Sequence, residues 1–338
     1  MIKKHTILSI GLFILTLLGL YLFVAMGHRD GKMIFEFDWP KVFFSNQSSR
    51  YNDIIISLRF PRAVAALLTG SALGLSGLLL QGVTRNPLAD PFLLGISGGA
   101  GLGVVLINAF SITFLSFGFW VIPVTAFAGA QIATILVMFL ARGTSKKISL
   151  VGMVLAGVII NAFCAAFTTF LLMQFDPLKM KVTSLWLAGG IGYFKWGELL
   201  FAGVIIVFAA IFIRVKAVSL NALALGEEGA QVVGVDSKKV LEQSAWTASL
   251  LTGVAVALGG LIGYVGLIVP HIVRMIFGRD FKNNIFFSAL TGGLLLLTGD
   301  ALARTLLSPE EIPVGIIAAL LGTPVLLILL KRELSGDK

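Results

Sequence analysis

The sequence predicts an all-α integral membrane protein with about ten transmembrane helices. Three observations carry that expectation. Of 338 residues, 57% are hydrophobic and only 13% are charged, against roughly a quarter charged in soluble domains. The apolar residues gather into runs of roughly the 20 positions a helix needs to cross the hydrocarbon core. Glycine, at 38 residues, clusters inside those runs, where small residues let helices approach closely in lipid.

In order, the runs are about 7–26, 61–82, 92–110, 118–140, 149–173, 196–213, 241–258, 262–277, 284–304 and 313–330. The first lacks a small-residue cleavage site before the polar stretch that follows, so it reads as a retained span. The eighth is short and contains Pro270, so a helix break is expected there. "TGSALGLSGLLLQG" (Thr69–Gly82) and "GISGGAGLG" (Gly95–Gly103) read as surfaces for helix packing. "GGAGLG" departs from the G-x-G-x-x-G spacing and follows no strand, so it is no dinucleotide fingerprint. Met and Phe within the spans read as packing or lipid-facing residues.

Orientation follows from the basic residues, which are retained on the cytoplasmic side. Placing Lys3 and Lys4 inside and alternating puts most of the 26 Lys and Arg inside, while the 17 acids divide almost evenly. Both termini are then cytoplasmic. The net charge of +9 is accounted for by topology and calls for no nucleic acid. The chain reads as one membrane domain, 1–338, with an outer polar break at about 27–58 and a cytoplasmic one at about 214–240.

Chemistry is sparse along the chain. Cys164 is the single cysteine, so one chain builds neither a disulfide nor a thiolate metal site. His271 has no His, Cys or carboxylate beside it in its span and is a poor metal or heme ligand. Asp300 and Arg304 lie toward the outer end of the ninth run, and few other ionisable groups lie within spans, where pumps and carriers keep theirs. Gly31-Lys32 is followed by Met33 and lacks the earlier glycine of a P-loop, so ATP would have to be bound by another subunit. No catalytic residue, cofactor or metal is assigned, because no nucleophile, base and acid converge in any segment. "LALGEEGAQVVGVDSKK" (Leu223–Lys239) is too polar for the bilayer, glycine-flanked, and long enough for two short helices.

That segment resembles the coupling helices of the FecCD family, the iron-siderophore, heme and cobalamin permeases of ABC importers. The likeness extends to "RFPRAVAALLTGSALGLSGLLLQGVTRNPLADPFLLGISGGAGLG" (Arg59–Gly103), "GGLIGYVGLIVPHIVRMIFGRD" (Gly259–Asp280) and "EIPVGIIAALLGTPVLLILL" (Glu311–Leu330), in the family's order. It covers nearly everything from Arg59 onward. The resemblance implies a type II ABC importer permease fold in a bacterial or archaeal cytoplasmic membrane. Two copies would form the pathway, served by two cytoplasmic ATP-binding subunits and an extracytoplasmic substrate-binding protein, and the cargo would be a bulky metal chelate. It further implies ATPase coupling through Leu225, Gly226, Glu227, Glu228 and Ala230, and binding-protein docking through Arg59, Arg62 and Arg304. Ser149, Leu150 and Val151 would narrow the cytoplasmic end of the pathway. "RNPLADP" (Arg85–Pro91) reads as a cytoplasmic turn between helices. A gradient-driven carrier or channel is the alternative.

Overall fold

The computed structural model describes residues 2–29, 32–44, 50–110, 120–142, 149–224 and 226–335. In chain order these form α1 (Ile2–Ala25), a short antiparallel hairpin of β1 (Met26–Arg29) and β2 (Lys32–Phe35), and α2 (Arg50–Ile54). One π-helical turn, Ile55–Arg59, carries α2 directly into α3 (Phe60–Thr84). There follow α4 (Ile96–Ala109), α5 (Val121–Ala141), α6 (Leu150–Leu172), α7 (Pro177–Leu187), α8 (Trp196–Ala224), α9 (Glu227–Val232), α10 (Ser237–Gly259), α11 (Val265–Phe277), α12 (Phe281–Thr305) and α13 (Val314–Ser335).

Each expected apolar run falls on one of these helices, in order. Among the described residues, 6 helices are long and apolar enough to cross a membrane, and three shorter apolar ones accompany them. The helix that carries the second run begins well before it, at Arg50, and α8 continues past residue 213 to Ala224. The exposed helix α7 falls between the fifth and sixth expected runs; Asp176 starts it by accepting from the backbone N–H groups of Leu178 and Lys179.

α3 is the axis of the bundle. Its most apolar window is 78% buried, against 17% in α1 and 22% in α6, which lie at the periphery. Glycine sets that packing. A Cβ on Gly70 would overlap the Gly292 carbonyl of α12, and one on Gly77 would overlap Gly266 of α11, so both crossings require backbones in near contact. Hydroxyls complete the core: Ser76 lies 2.7 Å from Thr252 of α10, and Thr134 of α5 lies 2.8 Å from Ser249.

Pro270 does not break its helix. α11 runs through it, although proline supplies no N–H to the carbonyl four residues back. The deficit is met from a neighbour: Gln81 Nε2 of α3 donates to Gly266 O at 3.3 Å and to Leu267 O at 3.0 Å. In a membrane interior, a freed carbonyl needs such a partner.

Candidate functional site

Functional candidates gather at the two ends of the bundle. At one end, the start of α3, the end of α12 and the segment before α13 converge on a cavity of about 290 Å³ lined by Arg59, Arg62, Arg304, Tyr193 and Glu311 among others. The three arginines singled out in the sequence thus share one wall.

Each is already engaged by an acid of its own chain. Arg62 is 4% exposed. Its Nε and Nη2 donate to the two oxygens of Asp300 at 3.2 and 2.9 Å, and Nη2 also donates to Glu311 at 2.8 Å. Nη1 reaches Glu311 at 3.1 Å and the Tyr193 hydroxyl at 3.3 Å. Arg59 Nη1 donates to Glu36 at 2.7 Å. Arg304 Nε lies 3.5 Å from Asp300, and its guanidinium stands 4.0 Å from the Phe23 ring centroid, a cation–π distance. Arg62 is therefore enclosed, and a partner's carboxylate meets it only if Glu311 gives way. Asp300 and Arg304 stand at i,i+4 on one helix, a spacing that brings side chains together; nothing in residue spacing announces the pairing of Glu36 with Arg59 or of Asp300 and Glu311 with Arg62.

The opposite end carries α9. Gly226 precedes it at φ 115 and Gly234 follows at φ 77, backbone conformations that side chains disfavour and glycine accepts. The short helix is therefore bounded by two sharp turns. Ala230 is 0% exposed, and its carbonyl accepts from the Val235 N–H at 2.8 Å. Ala230 therefore seats the segment on the bundle. The outward surface is made by Glu228 and by two valines the sequence reading passed over, Val232 at 87% exposure and Val233 at 65%. Leu225 and the side chain of Glu227 lie outside the described residues.

Ser149, Leu150 and Val151 open α6. The Ser149 hydroxyl oxygen accepts from the Gly152 N–H at 2.9 Å, an N-cap of the ordinary kind, and Val151 is exposed. Asp90 caps the nearby 3₁₀ turn Pro91–Leu94 by accepting from the Phe92 N–H at 2.8 Å. Burial pushes its carboxyl up to about 6, against that hydrogen bond. Asn161 ties α6 to this turn: its Nδ2 donates to Phe92 O at 2.9 Å and its Oδ1 accepts from the Gly98 N–H at 2.9 Å. Glu198, in the first turn of α8, is a second buried acid the sequence reading missed; it is 5% exposed and accepts from the Lys195 N–H at 3.0 Å.

A polytopic bundle crossed through glycines, with a charged cavity at one end and a fixed polar block at the other, has the build of a membrane permease that works with partner proteins. The chain belongs to the FecCD transport family, whose profile matches residues 12–332. It is similar to the hemin transport system permease protein of Yersinia pestis, at 39% identity over 83% of this chain and 84% of that one. The vitamin B12 import system permease protein of Vibrio vulnificus is 37% identical over 86% of each chain. A solved inward-facing conformation of an ABC transporter assigned to the metal-chelate type superposes with a TM-score of 0.81 at 27% identity, covering 97% of this chain and 99% of that one. The protein is thus a multi-pass permease of the ABC importer class with the type II fold.

Proposed function

We propose that the protein is the membrane-spanning subunit of an ATP-driven importer that moves a bulky metal chelate of the iron-siderophore, heme or cobalamin class into the cytoplasm. The observation that carries this reading is α9: a short helix fixed to the bundle through Ala230, with Glu228, Val232 and Val233 turned outward. Such a block transmits force only if another protein grips it. In this reading two cytoplasmic ATP-binding subunits do so, and two permease copies enclose the pathway. The relatives' names, hemin and vitamin B12 permeases, support the chelate class.

An extracytoplasmic binding protein would dock over the cavity walled by Arg59, Arg62 and Arg304, both termini would lie in the cytoplasm, and Ser149, Leu150 and Val151 would narrow the pathway's inner end. The alternative, a gradient-driven carrier, draws on buried Glu198 and Asp300. Against it, Asp300 is matched by Arg62 at 2.9 Å, and Glu198 caps a helix start, positions suited to structure more than to a proton relay.

Co-expression with the ATPase and binding protein, followed by reconstitution in liposomes, tests the proposal. Uptake of heme, a ferric siderophore or cobalamin should require ATP inside and the binding protein outside. Uptake driven by a proton or sodium gradient without ATP would overturn it.

A further inference from the structure

The chain folds back onto α1 after the hairpin that follows it. α1 is apolar from Ile7 to Ala25 and then passes into β1 and β2. Beyond β2 the Tyr21 hydroxyl donates to Phe37 O at 2.6 Å, and Trp39 Nε1 donates to Tyr21 O at 3.1 Å. Tyr21 precedes Ala25, the last residue of α1, by about 6 Å of helical rise. Phe37 and Trp39 are therefore held at a level within the apolar run, although in sequence they fall in the polar break at about 27–58.

A continuous set of rings fixes that level. Between centroids, Tyr21 lies 5.7 Å from Trp39, Trp39 lies 5.7 Å from Phe60 at the start of α3, and Phe60 lies 5.3 Å from Trp196 at the start of α8. Phe37 stacks on Tyr21 at 6.3 Å, and Phe35 stacks on Phe37 at 5.9 Å. The set links the ends of three apolar helices, and its free edge is Phe35 and Phe37, 49% and 53% exposed. Glu36, between them, turns the other way and holds Arg59 at 2.7 Å. The next charges, Asp38 and Lys41, pair at 2.8 Å in full solvent. Two stacked phenylalanines gain nothing from water, and the helices beneath them show what covers the pair instead. α1 and α8 lie at the edge of the bundle, with only 17% and 33% of their most apolar windows buried, and Leu18, Leu22, Leu200 and Phe201 on their nearby turns are exposed. Such side chains meet lipid, and aromatic rings at the ends of spans settle at the headgroup level.

We propose that Phe35 and Phe37 form a membrane-surface anchor, an aromatic edge seated in the lipid interface beside α1, and that the bilayer is its partner. Apolar side chains on one face of a segment bind in this way, entering the boundary between headgroups and acyl chains. The anchor holds the hairpin down and, through Glu36, fixes Arg59 in the wall of the charged cavity. It rests on α1 crossing the membrane and not on the transport reading.

The test uses the full chain in nanodiscs of phosphatidylethanolamine and phosphatidylglycerol. Wild type, which needs no substitution, is irradiated with a phosphatidylcholine that carries a diazirine near the headgroup end of one acyl chain. Adducts should fall on Phe35 or Phe37 as well as on Leu22, and not on Asp38 or Lys41. Nitroxide labels on Phe35→Cys, Phe37→Cys, Leu18→Cys and Lys41→Cys, each with Cys164→Ser, give an independent reading. At both phenylalanine positions, as at Leu18, dissolved oxygen should relax the label more than a water-soluble nickel complex does; at Lys41 the order should reverse. A nickel effect above that of oxygen at both phenylalanine positions overturns the proposal, as does the absence of adducts at residues 35–37 while Leu22 is labelled. Water-like accessibility that falls when the co-expressed binding protein is added assigns the edge to that protein. Shielding from both reagents without lipid adducts assigns it to a second permease copy, and either assignment overturns the anchor.

Discussion

Arg62 and Asp300 face each other with two parallel hydrogen bonds, at 3.2 and 2.9 Å, although 238 residues separate them in the chain. The pair joins the start of α3 to the end of α12, and Glu311 brings in the segment before α13. Asp300 is fully buried and Arg62 nearly so. Removing one partner of such a pair leaves an uncompensated buried charge, which costs far more than the intact pair contributes.

Asp300→Leu is therefore expected to destabilise the protein by about 3–5 kcal/mol. The double variant Arg62→Met with Asp300→Leu should lose much less than the sum of the two single changes. Thermal unfolding in detergent measures both; additive losses would mean that the two side chains are energetically independent.

Gln81 and Pro270 form a second coupled pair. Gln81→Leu strips the acceptor from Arg274 and the donor from the Gly266 carbonyl, at a cost of about 1–3 kcal/mol for the groups left unpaired. Pro270→Ala restores an N–H within the helix, so the double variant should recover part of that loss. A double variant no more stable than Gln81→Leu alone would show that the glutamine does not compensate for the proline.

Coupling should reside in α9, where Glu228, Val232 and the following Val233 are exposed. Val232→Asp, or Glu227→Lys with Glu228→Lys, is expected to leave the permease inserted while abolishing most substrate-stimulated ATP hydrolysis. Ala230→Leu should instead impair folding, because that position is enclosed. ATPase assays beside detergent-stability profiles separate the two classes, and full stimulation in Val232→Asp would remove the valine from the interface.

Docking is the prediction most affected by the ion cluster. Arg62→Glu would confront Asp300 and Glu311 with a third acid, so its loss of uptake would report folding as much as contact. Arg59→Ala and Arg304→Ala are cleaner. Both should weaken binding-protein affinity, increasingly so at low salt, where exposed charges are least screened, while basal ATPase activity persists. Unchanged affinity in both variants would place the docking surface elsewhere.

Asp90 adds a dependence on pH. Burial raises its carboxyl from 3.8 to about 6 in the folded state, so the folded protein holds that proton more tightly than the unfolded chain does. Its contribution to stability is then most favourable below about pH 4, declines as pH rises toward 6, and is level above. Asn at this position keeps the oxygen that accepts from Phe92. Asp90→Asn should flatten the decline and be more stable than wild type above pH 6; an unchanged slope would assign the dependence to another group.

The spans were readable because the bilayer imposes a length and because backbone polar groups in lipid have to be satisfied within a helix. The glycine clusters were readable for a related reason: close approach needs absent side chains, and Gly70, Gly77 and their neighbours are where the helices meet. What escaped depends on long-range pairing. The arginines were visible, but Asp300 and Glu311 lie 238 and 249 residues from Arg62, so their mutual neutralisation leaves no local pattern. Pro270 was read as a break because its compensating donor, Gln81, sits on another helix 185 residues away. Helix α7 was missed because its apolar residues alternate with lysines and give no run long enough to register as a span.

The 29 residues of α8 make a rod about 44 Å long. The hydrocarbon core is only about 30 Å thick, and a typical tilt of about 20° leaves the rod's vertical reach near 41 Å. With Trp196 at one interface, the far end projects roughly 10 Å beyond the acyl chains. Whatever grips α9 meets it in water, on a stalk. One helical turn added to that stalk would shift the meeting place outward by about 5 Å and leave the membrane-embedded part of the helix unaltered.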